Sequence, residues 1–185
     1  MSAAREFILG GQRSGKSRCA ERRAADWLAD PAHEAMLLAT AQAGDDEMRE
    51  RIARHRADRV PGLAVEEVPR DLPSALRRLG APGRLLVVDC LTLWLTNLLM
   101  PMQGEPLHLD AWQMCSRQLC DAIEAAPGPV VLVSNEIGMG LSPMSREARR
   151  FVDELGRLHQ AVAACCDAVT LAVAGLEMPV KRAGR

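Results

Sequence analysis

The stretch GGQRSGKS at residues 10–17 constrains this chain more than any other part of it. Its spacing, Gly10-x-x-x-x-Gly15-Lys16-Ser17, is that of a P-loop, in which backbone N–H groups point inward and cradle a polyphosphate. In such a loop the lysine reaches the β- and γ-phosphates, and the serine hydroxyl binds Mg²⁺. The sequence therefore predicts a phosphate site with Lys16 as a catalytic residue and Ser17 as a metal ligand. The residues predicted to contact the nucleotide here are Gly10, Gly11, Gln12, Arg13, Ser14, Gly15, Lys16 and Ser17.

Both flanks of this loop have the pattern that a P-loop requires. Residues 6–9 form a short, mainly apolar run, as a buried strand should, and residues 17–30 repeat apolar side chains at helical spacing. The N-terminus of the helix adds a favourable field for anions. The order of strand, glycine-rich turn and helix favours a nucleotide site over a chance glycine-rich turn.

Short apolar runs alternate with helical patterns along the rest of the chain. The runs at 85–88 and 130–133 are continuously apolar, as expected of parallel strands that are buried on both faces. The alternation predicts an α/β fold with a mostly parallel sheet and helices on both faces. No linker divides the chain, and its 185 residues suit one domain over 1–185. The predicted strands are 7–9, 35–40, 85–89, 130–135 and 168–174, and the predicted helices are 16–29, 45–58, 72–78, 91–100, 110–125 and 145–166.

Charge and cysteine usage argue against several classes of protein. The chain has 23 basic and 24 acidic residues, and its net charge of −1 gives no drive toward nucleic acid or anionic membranes. Its apolar stretches are interrupted by polar residues, so no membrane span is predicted, and residues 1–5 have no secretory pattern. Six cysteines without a C-x-x-C pair indicate reduced thiols. We therefore expect a cytoplasmic protein without a nucleic-acid partner.

Acidic and amide side chains follow two of the predicted strands. Asp89 ends one buried strand, in the position of a Walker B acid that binds Mg²⁺ directly or through water beside Ser17. The alternative is an ordinary acidic residue at the start of a loop. Asn135 and Glu136 end another strand, and ligands of open parallel sheets bind beyond the carboxyl ends of strands. These two residues are placed to touch nucleotide, Mg²⁺ or the acceptor, and a structural role is equally open.

The segment GDDEMRERIARHRADR, residues 44–59, predicts a helix whose inward stripe includes His55. Arginines surround this histidine on both sides. An imidazole on the inward face with basic neighbours is suited to meet phosphate, and a packed histidine with solvated arginines is the alternative. His33, His108 and His159 lie in loop or helix contexts and are predicted to be structural or surface residues. No metal-ligand spacing occurs among the histidines and cysteines.

Four stretches of the chain carry a resemblance to a known family. They are GGQRSGKSRCAE, LATAQAGDDEMRERIARHRADR, VVDCLTLWLTNLL and VSNEIGMGLSPMSREARRFVDELGRLHQ. Together they resemble the bifunctional adenosylcobinamide kinase/adenosylcobinamide-phosphate guanylyltransferases of cobalamin biosynthesis. The match spans nearly the whole chain and keeps the family's order. Its second and fourth stretches are far more specific than a P-loop.

The resemblance implies a P-loop NTPase with a RecA-like sheet that assembles as a homotrimer. It implies that ATP or GTP, with Mg²⁺, phosphorylates the aminopropanol hydroxyl of adenosylcobinamide. GMP is then transferred from GTP to adenosylcobinamide phosphate through a guanylylated histidine, whose position His55 matches. Such a covalent intermediate divides one difficult displacement into two easier ones. Histidine is substantially neutral at cytoplasmic pH, so its imidazole is able to attack the α-phosphorus of GTP.

The same resemblance implies that residues beyond the P-loop contact nucleotide. Those residues are Ala39, Thr40, Ala41, Arg56, Ala57, Asp58, Arg59, Glu67 and Asp89. One departure affects this assignment, because the family often has a tryptophan a few residues before the acid at position 67. This chain has Gly62-Leu63-Ala64-Val65-Glu66-Glu67 there. The acid is therefore Glu66 or Glu67, and Glu67 is the predicted one.

Two other functions stay open on the residues alone. A monofunctional P-loop kinase for another small alcohol would need Lys16 and Asp89 but not His55. A GTP-dependent switch protein would usually carry an N-K-x-D guanine motif after a strand, whereas this chain has Ser134-Asn135-Glu136-Ile137 there. Turnover with adenosylcobinamide separates the two kinases, and slow GTP hydrolysis coupled to a protein partner would support the switch.

Overall fold

Seven strands form one sheet in the computed structural model, which describes residues 5–44 and 60–182. They are β1 (Arg5–Gly10), β2 (Glu34–Ala39), β3 (Leu63–Glu67), β4 (Arg84–Asp89), β5 (Val130–Asn135), β6 (Ala168–Val173) and β7 (Leu176–Lys181). Their order across the sheet is β3-β2-β4-β5-β1-β6-β7. All neighbours pair in parallel except β6 and β7, which are antiparallel. The five predicted strands and the mostly parallel sheet are confirmed.

Five α-helices lie in the described residues. They are α1 (Lys16–Leu28), α2 (Leu72–Leu79), α3 (Leu91–Leu99), α4 (Leu109–Glu124) and α5 (Arg146–Cys165). Each agrees with a predicted helix to within one residue at either end. Ser145 caps α5 by accepting the Ala148 N–H at 3.1 Å, which satisfies one of the amides that a helix leaves unpaired at its start. The helix predicted over 45–58 lies outside the described residues. In the part of the chain that is described, every helix is too short or too polar to span a bilayer.

Strand residues alternate between two cores, one on each face of the sheet. In β4, Leu86 and Val88 join the core that packs under α2, α3, α4 and α5, whereas Leu85 and Val87 join the core under α1. The alternation follows from the two-residue period of strand side chains. We call these sides the α5 face and the α1 face. Helices therefore cover both faces of the sheet, as predicted.

The strands β3 and β7 are not predicted from the sequence, because each lies at an edge of the sheet. β3 buries Leu63 but leaves Ala64 and Val65 exposed. β7 is mostly exposed and contains Pro179, whose missing N–H is tolerated at an edge. Edge strands need no continuous apolar run, so they lack the signal that marks the buried strands.

All six cysteines are free thiols. Burial raises the pKa of Cys166 to about 12 and also raises the pKa values of Cys19, Cys115 and Cys120. These thiols are therefore protonated at neutral pH and are poor nucleophiles. They serve as packing residues.

Candidate functional site

The loop between β1 and α1 has the backbone shape of a phosphate-binding turn. β1 ends at Gly10 and α1 begins at Lys16. Gly15 has a φ of 100°, a left-handed conformation that glycine adopts without strain. A side chain on Gly10 would approach Ala172 O to 2.6 Å and would lie closer still to Ser14 Oγ. The path of the loop therefore requires glycine at both positions.

Lys16 lies against the loop backbone rather than in solvent. The residue is 6% exposed, and its Nζ donates a hydrogen bond to Gly11 O at 2.9 Å. The same carbonyl accepts the Ser14 N–H at 3.2 Å. Gly11, Gln12 and Arg13 form the exposed rim of the loop. An ammonium carries three donors, so from this position it can turn toward the phosphates of a nucleotide held in the loop.

The back of the loop rests on the turn between β6 and β7. Gly175 N–H donates to Ser14 O at 2.9 Å. Arg23 of α1 forms ion pairs with Glu6 of β1 at 2.7 Å and with Glu177 of β7 at 2.6 Å. Hydrogen bonds from Arg23 lower the pKa of Glu177, so this carboxylate stays ionised at neutral pH. These contacts tie β1, α1 and β7 together around the loop.

The carboxyl ends of six parallel strands, β1 to β6, form the edge of the sheet that carries the loop. Gly10 lies beside Asn135, whereas Asp89 lies beside Ala39, which in turn lies beside Glu67. The two-residue alternation places Asp89, Asn135 and Glu67 on the α1 face. The structure thus brings the predicted acids and the phosphate loop to one edge and one face.

The strand order divides this edge into two zones. β4 is two strands from β1, which places Asp89 about 10 Å across the sheet from the strand that leads into the loop. β3 is four strands from β1, which places Glu67 on the order of 20 Å away. Asp89 can therefore serve a metal at the phosphates, whereas Glu67 would contact a more distant part of the ligand.

Ser17 and Asp89 are the residues predicted to bind Mg²⁺. Ser17 is half-buried in the first turn of α1, and Asp89 is half-buried at the end of β4. Residues 5–44 and 60–182 contain no cluster of three or more His, Cys, Asp or Glu side chains that could hold a metal. One hydroxyl and one carboxylate suit Mg²⁺, which keeps several waters and takes phosphate oxygens as further ligands. The donor set fits a metal that arrives with a nucleotide.

Two buried side-chain oxygens among the described residues lack a hydrogen-bond partner; one lies next to Gly10, and the other belongs to the residue that pairs with Gly10 in the neighbouring strand. They are Ser14 Oγ and Asn135 Oδ1. An unsatisfied buried polar atom costs about 1–3 kcal/mol, and such atoms in native proteins usually meet a water or a ligand. A water or a polar ligand at this end of the loop would complete their hydrogen bonding.

The segment Ala39-Thr40-Ala41 lies at the end of β2, and the polar groups of Thr40 are bonded within the protein. Its hydroxyl donates to Cys90 O at 2.7 Å and accepts the Cys90 N–H at 2.8 Å. Its own N–H donates to Asp89 O at 3.1 Å, and its carbonyl accepts from the Asn97 amide at 2.8 Å. Thr40 therefore fixes the backbone at Asp89. The contact of this segment with nucleotide stays a prediction.

The structure places Glu66 and Glu67 on opposite faces of the sheet. Glu66 forms an ion pair with Arg78 of α2, on the α5 face. Glu67 is exposed on the α1 face and shares its register with Asp89. The arrangement supports Glu67 as the acid that meets nucleotide, and the contact itself stays a prediction.

One group of predicted residues belongs to the stretch between residues 44 and 60. His55, Arg56, Ala57, Asp58 and Arg59 lie outside the described residues, so their roles stay predictions. The sequence reasoning also missed a buried polar cluster on the α5 face, formed by Thr92, Ser134 and His159. Its members are far apart in the sequence, and the one available signal is the polar end of β5.

Three findings relate the chain to known proteins. A family model described as cobinamide kinase / cobinamide phosphate guanyltransferase matches residues 6–180. The bifunctional adenosylcobalamin biosynthesis protein CobP of Pseudomonas aeruginosa is 50% identical over 178 residues, which cover 96% of this chain and 97% of that protein. The bifunctional adenosylcobalamin biosynthesis protein CobU of Salmonella typhimurium is 36% identical over 184 residues, which cover 95% of this chain and 98% of that protein.

Two solved structures have a similar fold at low sequence identity. The first is an ATPase domain, which superposes with a TM-score of 0.52 at 16% identity, over 90% of this chain and 68% of that one. The second is the flagellar accessory protein FlaH of Methanocaldococcus jannaschii, which superposes with a TM-score of 0.53 at 10% identity, over 97% of this chain and 78% of that one. These likenesses confirm the predicted α/β fold class of P-loop NTPases.

Proposed function

Since the chain belongs to the cobinamide kinase / cobinamide phosphate guanyltransferase family, we propose that it catalyses two consecutive reactions of cobalamin biosynthesis. The first phosphorylates the aminopropanol hydroxyl of adenosylcobinamide with ATP or GTP. The second transfers GMP from GTP to adenosylcobinamide phosphate and releases pyrophosphate, which gives adenosylcobinamide-GDP. The structural observation that carries the proposal is the glycine loop between β1 and α1, with Gly10 and Gly15 at its turns and Lys16 buried against its backbone.

In the first reaction the chain positions the phosphates and neutralises their charge. Backbone N–H groups of residues 10–17 and the N-terminus of α1 hold the β- and γ-phosphates. The ammonium of Lys16 contacts the γ-phosphoryl group during its transfer. Its hydrogen bond to Gly11 O holds this ammonium beside the loop. Ser17 and Asp89 would hold Mg²⁺, which when bound offsets the negative charge of the phosphate oxygens.

In the second reaction His55 would supply the nucleophile. Its imidazole nitrogen attacks the α-phosphorus of GTP, pyrophosphate leaves, and the phosphate of adenosylcobinamide phosphate then displaces the histidine. The arginines at positions 56 and 59 would bind phosphate oxygens and disfavour the imidazolium form. Glu67 lies four strands from β1 and would contact the part of GTP that lies farthest from the loop.

The direct test is incubation of the protein with adenosylcobinamide, GTP and Mg²⁺, followed by mass analysis of the corrinoid. We expect two products in sequence, adenosylcobinamide phosphate and then adenosylcobinamide-GDP. Accumulation of the phosphate alone would identify a monofunctional kinase. An unchanged corrinoid would contradict the proposal.

A substitution at Asp89 tests the metal assignment. In the Asp89→Asn variant, Mg²⁺ dependence and kinase turnover should weaken more than nucleotide binding, because the carboxylate serves the metal while the loop backbone still holds phosphate. The measurement is an Mg²⁺ titration of turnover beside a titration of nucleotide affinity. If the Mg²⁺ titration is the same as for wild type, Asp89 is a structural residue.

We further propose that the protein works in the cytoplasm as a homotrimer, as its family resemblance implies. The outer strand β7 exposes Leu176, Met178 and Val180, which offer an apolar surface for contact between copies. Sedimentation equilibrium measures this directly, since a trimer of the 20.1 kDa chain has three times the monomer mass. A monomeric mass at working concentration would contradict it.

A further inference from the structure

A chain of buried hydrogen bonds runs behind the phosphate loop, on the α5 face of the sheet. Asn135 N–H donates to Thr92 Oγ1 at 2.8 Å, and Thr92 Oγ1 lies 2.9 Å from Ser134 Oγ. Ser134 Oγ in turn lies 2.8 Å from His159 Nε2. On the other side of the imidazole, Nδ1 faces Glu136 Oε2 at 3.6 Å. These contacts therefore connect the end of β5, through side chains of α3 and α5, with the residue that follows β5.

The hydroxyl groups in this series of hydrogen bonds can donate in one direction only. Thr92 Oγ1 accepts from Asn135, so its own hydrogen must go to Ser134, and the Ser134 hydrogen then goes to His159 Nε2. In the opposite direction the Thr92 hydroxyl hydrogen would have no acceptor, and a buried donor without a partner is costly. The neutral imidazole consequently carries its hydrogen on Nδ1, toward Glu136.

Burial supports this assignment of the imidazole. His159 is 7% exposed and lies edge-on to Phe7, with ring centroids 5.5 Å apart. Burial lowers the pKa of His159, and the nearby carboxylate of Glu136 offsets this only in part. The imidazole is thus neutral at cytoplasmic pH and presents one N–H donor to Glu136.

Glu136 is fixed beside the phosphate loop yet stays accessible. Its N–H donates to Gly10 O at 2.9 Å, and its Oε1 accepts the Gly138 N–H at 2.6 Å. Its Oε2 faces His159, and the side chain is 20% exposed. A carboxylate has about four acceptor positions, so contacts from Gly138 and His159 orient the group and leave acceptor capacity toward solvent.

The position of Glu136 differs from that of the other acids at this edge. Asp89 and Glu67 lie on the α1 face, whereas Glu136 turns toward α5. In the residues that follow Glu136, the apolar side chains of Ile137, Met139 and Leu141 are exposed. An organic acceptor that arrives over this apolar surface would bring its hydroxyl between Glu136 and the phosphates in the loop.

We propose that Glu136 accepts the proton of the substrate hydroxyl during phosphoryl transfer and that His159 is the positioning residue that holds its carboxylate in place. The inference rests on the kinase activity proposed above. The hydroxyl oxygen forms a bond to the γ-phosphorus, the bond from that phosphorus to the β–γ bridging oxygen breaks, and the nucleoside diphosphate leaves. The hydroxyl proton passes to Glu136 and is later released to water. His159 does not touch the acceptor.

The test compares the two activities of wild-type protein and Glu136→Gln. We expect kinase kcat to fall by about 10²–10⁴, the range for loss of a general base, with a much smaller change in KM for the nucleotide. Guanylyl transfer to supplied adenosylcobinamide phosphate should fall far less, because that nucleophile is an ionised phosphate with no proton to lose. Equal losses in both activities, or wild-type kinase turnover, would overturn the assignment of Glu136.

A matched pair of variants tests the role of His159. His159→Asn keeps an N–H donor near the place of Nδ1, and His159→Gln keeps one near the place of Nε2. Folding is checked by thermal unfolding, and we expect His159→Asn to retain more kinase kcat than His159→Gln. The reverse order would overturn the positioning role. A wild-type protein with neither activity would overturn the proposed function, and the assignment of Glu136 and His159 with it.

Discussion

Replacing Lys16 with alanine should lower the rate of adenosylcobinamide phosphorylation by about 10²–10³ while the protein stays folded. Lys16 is buried against the loop backbone, with Nζ 2.9 Å from Gly11 O, and is the ammonium placed to follow the transferred phosphoryl group. Because the backbone N–H groups still hold phosphate, nucleotide affinity should change much less than turnover. Ser17→Ala should also reduce turnover strongly, through loss of a Mg²⁺ ligand.

The neighbouring Arg18 provides a matched control. It is exposed and lies two residues after Lys16 on the same helix. Arg18→Ala removes one positive charge from the same region but should leave kinase turnover near that of wild type. Thermal unfolding should show that all three variants are folded. Near wild-type phosphorylation by Lys16→Ala would contradict the assignment of this loop as the kinase site.

Replacing His55 with alanine should abolish formation of adenosylcobinamide-GDP and leave formation of adenosylcobinamide phosphate. The substitution removes the proposed nucleophile, whereas Lys16, Ser17 and Asp89 remain. Wild-type protein incubated with GTP labelled at the α-phosphate should become covalently labelled, and GTP labelled at the γ-phosphate should not label it. The bond between phosphorus and imidazole nitrogen should break in acid and survive in base.

His108 serves as the control for this experiment, because it is an exposed histidine at the start of α4. His108→Ala should keep both activities and the covalent label. A label that is stable in acid, or that persists in His55→Ala, would place the nucleophile elsewhere. Loss of both activities in folded His55→Ala would mean that this histidine helps to build a shared nucleotide site.

The sequence was informative where local pattern and burial coincide. The loop at residues 10–17 and the buried strands β1, β4 and β5 are recognisable because motif spacing and continuous apolar runs are local properties. The edge strands β3 and β7 have one exposed side and no such run, so their existence depends on the neighbours that they pair with. Local pattern therefore predicted the centre of the sheet better than its borders.

The candidate site divides in the same way. The position of Asp89 could be predicted because it ends a buried strand, whereas Glu66 and Glu67 could be told apart only by the structure, which places them on opposite faces of the sheet. Local pattern did not link His159 to the site, because its partner Ser134 is 25 residues away in the sequence and meets it only after α5 packs on the sheet. Such contacts depend on tertiary structure and not on spacing along the chain.

The turn between β6 and β7 has a consequence for the order of folding during synthesis. The phosphate loop is made well before the residues that hold it, since Ser14 O accepts from Gly175 and Arg23 pairs with Glu177. β1 likewise finds its two neighbours, β5 and β6, only after residue 130 has been made. At about 5–20 residues per second, the nascent chain therefore carries its nucleotide motif for roughly ten seconds or more before that motif can close. Contacts of such long sequence separation are late and slow to form. In a ribosome-bound chain that ends before Gly175, nucleotide should therefore not yet bind to the loop and protect it.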